Sequence, residues 1–214
     1  MIPFGLAAIC ILLAVCLSFG HPWLVHPSRS RVIGICSVGA PFALVCAAGL
    51  MMGAPSLLIL AILVFGASAL AASGFFGERL HQSRMLRLIA YLVLSVLFFS
   101  VAEFSPMGWE TVLALVLSLL VLCFLIRVRK DEADRRGFLT LYVVLLALMI
   151  GLASLTPGDF PNQTAIGAMF LVMSDSVIMK AKPMMILKVP ETAATLLGQI
   201  MGLAMILMWV IEQT

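Results

Sequence analysis

Residues 167–176 read GAMFLVMSDS, and Asp175 is the one acid in the apolar run that holds them, flanked by the hydroxyls of Ser174 and Ser176. An ionised carboxylate near the centre of a membrane-spanning helix costs at least about 2.5 kcal/mol. Something in the folded chain has to offset that cost. Either Asp175 faces a polar site and works there, or it is a hydrogen-bonded structural group inside a helical bundle. Both readings place the segment in a membrane, and the rest of the chain agrees.

Of the 214 residues, 63% are hydrophobic and 11% charged, against roughly 45–50% and 25% for a soluble domain. Mean hydropathy is +1.19. Apolar runs fall at 2–19, 32–52, 56–76, 85–103, 109–126, 138–155, 163–180 and 192–211. Each is long enough to cross about 30 Å of hydrocarbon at 1.5 Å per residue. The expectation is an all-α, polytopic transmembrane bundle of eight helices forming a single domain over 1–214.

The connections alternate in charge. Arg29 and Arg31, then Arg79, Arg84 and Arg87, then the stretch 127–136, then Lys182 and Lys188 with Lys180 just before them, account for every Lys and Arg. The intervening connections and both ends carry none, so the basic loops are expected in the cytoplasm and both termini on the other side. His21 and His26 fall in the first basic loop and His81 in the second, where solvated side chains are expected. Glu103 and Glu110 flank the connection on the opposite side and read as interfacial. Trp23, Trp109 and Trp209 sit near run ends, as interfacial anchors do.

The runs repeat at an offset of about 107 residues. Two parallel four-helix repeats and a coincidence of equal helix lengths both account for it. A net charge of +3, scattered along the chain, excludes a nucleic-acid partner. The five cysteines lie in apolar runs without CxxC or Cys/His spacing, so neither a metal nor another cofactor is expected. In the last run Thr192, Thr195 and Gln199 are spaced by three and four, which puts them on one helix face. Such a face is expected to turn inward, toward Asp175 and Tyr142, as a substrate-binding surface or as interhelical glue.

GAMFLVMSDS resembles the Ser-Asp helix of the YhhN-like (lysoplasmalogenase) membrane proteins. Tyr142 and Met149 in LYVVLLALM are similar to that family's preceding helix, and Gln199 to a glutamine in its last. The first half departs from the pattern. Gly66-Ala67 stands where a Gly-Asp pair is expected, Arg31-Val32 where a Lys-Pro is, and the fourth run holds no His. The resemblance implies hydrolysis of the vinyl ether of a lysoplasmalogen, with a membrane lipid or lysolipid as the bound partner, in a bacterial-type inner membrane. Asp175 is then the catalytic group, a general acid protonated by burial, and Tyr142, Ser174, Thr195 and Gln199 are substrate-binding. A protein that has lost a paired third-run acid implies instead a non-catalytic lipid-binding or structural role. A small-solute transporter is a third class.

Overall fold

Long apolar segments have two ways to satisfy their backbone in lipid, and helices do so within each segment. The computed structural model describes residues 2–24, 31–73, 80–102, 116, 119, 136–157, 163–180 and 189–213. Among these residues the structure is all-α. Its helices are α1 (Ile2–Leu24), α2 (Arg31–Met51), α3 (Ser56–Ala72), α4 (Leu80–Val101), α5 (Arg136–Ser154), α6 (Gln163–Lys180) and α7 (Val189–Gln213). The fifth apolar run, 109–126, lies outside the described residues except for Val116 and Leu119, both helical and exposed. Glu103, Glu110, Trp109 and the basic loop 127–135 also lie outside them.

Among the described residues four helices are long and apolar enough to cross a membrane, over Phe4–His21, Val32–Met51, Gln82–Val101 and Thr192–Val210. Ser56–Ala72 and Leu141–Ser154 are shorter apolar segments. The outward faces carry Phe4, Leu12, Phe19, Leu63, Phe99 and Val144, all exposed. With no aqueous face for them to soil, that apolar exterior suits lipid. This is a membrane protein.

Several helices begin earlier or end later than the apolar runs that mark them. α4 starts at Leu80 and α1 continues to Leu24. Hydropathy stops at charged residues but the backbone does not, since Arg and Gln are good helix formers. The extension carries Arg84 into α4 and His21 into α1, and it sets Arg87, at the edge of the apolar run, two turns inside α4. His21 is therefore buried, not solvated: its Nδ1 lies 3.0 Å from Ser37 Oγ in α2. The Ser37 hydroxyl donates to Gly34 O at 2.7 Å, so its oxygen is the acceptor and the imidazole Nδ1–H the donor.

The α2–α3 turn is short and fully specified. Gly53 has φ 72°, a left-handed conformation that favours glycine. Ala54 N–H donates to Gly49 O at 2.9 Å and Gly53 N–H to Leu50 O at 3.3 Å, the paired bonds that close a helix C-terminus. Pro55 then opens α3, where its missing N–H costs nothing. α2 and α3 are thereby antiparallel neighbours. α7 is central, packing on α6, α1, α2 and α3, while α4 joins α3 to α5.

The α6–α7 pair approaches most closely. A Cβ added to Gly167 meets Gly202 O at 2.7 Å, and one added to Gly202 meets Gly167 O at 2.6 Å. Farther along the same seam, a Cβ on Gly198 meets Ser174 Cβ at 2.8 Å. Small residues let two backbones touch, as membrane helices commonly do.

Trp209, expected as an interfacial anchor, is buried near the end of α7 and donates Nε1–H to Pro157 O at 2.9 Å. It ties α7 to the segment after α5, where Thr164 Oγ1 donates to Ala153 O at 2.9 Å. Trp209→Phe removes the donor and strands a carbonyl. Thermal unfolding in detergent should show a loss of about 1–2 kcal/mol.

Candidate functional site

A lone acid among apolar helices needs a counter-charge, and α4 supplies it. Arg87 Nη1 donates to Asp175 Oδ1, with side-chain exposures of 0% and 1%. Neither charge reaches solvent, so each depends on the other. A guanidinium does not deprotonate in proteins, and the carboxylate beside it is its charge-neutralising partner.

The cluster draws a side chain from each of five helices, with Ser83 and Tyr91 joining Arg87 from α4. From α5, Tyr142 Oη donates to Asp175 Oδ2. From α3, Ser68 Oγ accepts from Arg87 Nε at 2.8 Å and bonds Ser83, 2.9 Å from its Oγ and 3.0 Å from its carbonyl. From α7, Gln199 turns its amide oxygen toward the guanidinium, the orientation in which donors meet an acceptor. That oxygen lies 2.5 Å from Nη1 and 2.6 Å from Nη2. One turn along α4, Tyr91 stacks edge-on against Tyr142 with centroids 5.8 Å apart, and its hydroxyl lies 3.5 Å from Leu171 O. Phe65, Leu171 and Leu94, all fully buried, complete an apolar surround.

Of the residues selected from the sequence, Tyr142 meets Asp175 directly, and Gln199 joins them through Arg87. Thr195 lies one turn before Gln199 on the same face of α7, buried, with no hydrogen-bond partner for its Oγ1 among the described residues. Ser174 is not turned to the cluster: it is buried on the α7 side and its hydroxyl donates to Leu171 O at 2.7 Å in its own helix.

Arg87, Ser68 and Tyr91 escaped the sequence reading. Arg87 was assigned to a cytoplasmic loop by charge counting. The signal that finds it is the one used for α7: Arg84, Arg87, Tyr91 and Ser95 recur at three- and four-residue spacing, a polar stripe on one face of α4. All four are buried. The position expected to have lost an acid also changes meaning. Ala67 is exposed, on the outer face of α3, and the inward residue beside it is Ser68. A carboxylate at position 67 would point away from Asp175. Among the described residues no three His, Cys, Asp or Glu side chains gather as metal ligands.

A family model described as the YhhN family matches residues 88–203, more than half of the chain, and Tyr91, Tyr142, Asp175 and Gln199 all lie inside it. The chain belongs to the YhhN family. No curated protein and no solved structure matches it. In this YhhN protein Arg87 and Ser68 fall before the matched segment, so the counter-charge to Asp175 comes from the half of the chain that the family model does not cover.

The YhhN cluster offers a definite set of chemical capacities. Tyr142 holds a proton directed at a carboxylate. Asp175, with one bond to each oxygen, retains lone pairs. Arg87 supplies a fixed positive charge that no protonation change can remove. A low-dielectric surround strengthens each of these interactions.

Proposed function

We propose that this YhhN protein hydrolyses the vinyl ether of a lysoplasmalogen-type lipid at the Asp175 cluster. The observation that carries the reading is a buried carboxylate bonded at once to a phenol and a guanidinium, among apolar helices that suit an alkenyl chain. Structural ion pairs need no phenol aimed at the carboxylate, whereas acid–base chemistry needs a proton donor and an acceptor side by side.

The reaction adds one water. Tyr142 gives its phenolic proton to the vinyl carbon remote from oxygen, leaving an oxocarbenium ion at the other carbon and a phenolate on the enzyme. The Asp175 carboxylate and the phenolate stabilise that cation. Water adds to the cationic carbon and loses a proton to Asp175. That proton returns across the Tyr142–Asp175 hydrogen bond, and the hemiacetal collapses to a fatty aldehyde and a glycerophospho-base. The donor role expected of Asp175 passes to Tyr142 because the Asp175 carboxylate is the counter-charge of Arg87. Asp175 remains the catalytic acceptor, Gln199 and Arg87 hold it, and the bound partner is a membrane lysolipid.

The same proposal carries eight spans, with the fifth at 109–126, and both termini outside the cytoplasm of a bacterial inner membrane. An offset of 108 residues, within the spacing of the runs, supports two parallel repeats, since it relates Arg87 to Thr195 and Tyr91 to Gln199, all four buried.

A second reading is favoured by one observation: Arg87 and Tyr142 already engage both carboxylate oxygens, as in a structural pair of a non-catalytic lipid-binding protein. Purified protein given lysoplasmenyl lipid separates the two. Aldehyde release is expected, with Tyr142→Phe and Asp175→Asn each lowering the rate by at least about 10²-fold. A wild-type protein that binds the lipid but releases no aldehyde rejects the enzyme and supports the second reading.

A further inference from the structure

We infer that Thr195 holds the water consumed at the Asp175 cluster, a role that rests on the hydrolytic reading and deepens it. Helical hydroxyls in this protein ordinarily turn back on their own backbone. Ser18 donates to Ala14 O at 2.8 Å, Ser95 to Tyr91 O at 2.8 Å and Ser154 to Ile150 O at 2.9 Å. Thr195 does not. Its Oγ1 is buried with no hydrogen-bond partner among the described residues, although a carbonyl one turn back is the usual acceptor for a helical threonine.

A buried hydroxyl left unpaired marks a place where a small polar molecule is held. The surroundings specify which. Thr195 shares a face with Gln199, whose amide reaches the Arg87 guanidinium, and the α6–α7 seam at Gly198 and Ser174 brings the Asp175 turn of α6 beside α7. An alkenyl chain has no group for a hydroxyl. Water has both a donor and an acceptor, and two to four polar partners are what a buried water requires. It accepts from Thr195 and donates to a remaining lone pair of Asp175. As its oxygen bonds to the oxocarbenium carbon, the proton on that hydrogen bond passes to Asp175, and Thr195 keeps its own.

Thr195→Val keeps the shape and deletes the hydroxyl; Thr195→Ser keeps the hydroxyl. A held water predicts that Thr195→Val lowers the turnover number for aldehyde release about 10²-fold, the size of effect a misplaced reactant produces, with KM unchanged, and that Thr195→Ser restores it. Thr195→Val is also expected to lower the melting temperature in detergent, because the water loses an anchor. A raised melting temperature shows an empty orphan hydroxyl and overturns the inference. An increase in KM at constant turnover assigns Thr195 to the lipid's own oxygen and overturns it equally. If wild-type protein releases no aldehyde, the hydrolytic reading has failed, while the sign of the melting shift still decides whether Thr195 holds water.

Discussion

Replacing Arg87 with methionine is expected to lower the unfolding free energy by about 3–5 kcal/mol, the cost of leaving one member of a buried ion pair uncompensated. The side chain is fully buried and holds contacts to Asp175, Gln199 and Ser68 at once. Methionine fills a similar volume, so most of the loss comes from the stranded carboxylate and not from a cavity. The double variant Arg87→Met/Asp175→Leu removes both charges and should recover much of the stability, since well-packed apolar replacements for buried ion pairs are often neutral or better. Denaturant unfolding in detergent of the wild type, both single variants and the double completes the cycle. An Arg87→Met protein within about 1 kcal/mol of wild type would mean that the pair is not closed in the folded protein.

Gly202→Ala is the second large effect, expected to cost about 3 kcal/mol, at the upper end for overpacking. Alanine normally improves a helix by up to about 1 kcal/mol over glycine, so the seam has to outweigh that gain. It does so because the added Cβ lies 2.6 Å from Gly167 O. That contact is with backbone, which cannot rotate away as a side chain can. Relief requires α7 to move off α6, which separates Gln199 from Arg87, so aldehyde release should fall together with stability. Gly5→Ala provides the internal control. Nothing lies within 4 Å of its added Cβ, and its effect should run from neutral to a gain of about 1 kcal/mol. If the two variants melt alike, the close approach of α6 and α7 is refuted.

The four long apolar helices, α1, α2, α4 and α7, were legible in the sequence because hydrocarbon thickness demands a long uninterrupted apolar run. Asp175 was legible because one acid in such a run is conspicuous, and Thr192, Thr195 and Gln199 because three- and four-residue spacing projects onto one face. Arg87 was not. Its charge is explained twice, by loop topology and by burial, and the simpler explanation came first. Only the helix start at Leu80, which puts Arg87 two turns inside α4, separates the two. The same early start in structure, late start in hydropathy, concealed the stripe with Tyr91. Ser68 was not legible either, since a serine in an apolar helix carries no mark of what it bonds. Whether position 67 or 68 faces inward is a matter of helix rotation, about 100° per residue, and depends on packing against Phe42 at Gly66, a contact between residues distant in the chain.

The Arg87–Asp175 pair also has a history within each molecule. The two residues are 88 positions apart, so a ribosome adding about 5–20 residues per second exposes α4 roughly 4–18 s before α6 exists. During that interval the arginine lacks the carboxylate it pairs with in the folded protein, and a long side chain of this kind can snorkel toward the lipid head groups. The charge that completes the site is thus made long before its partner.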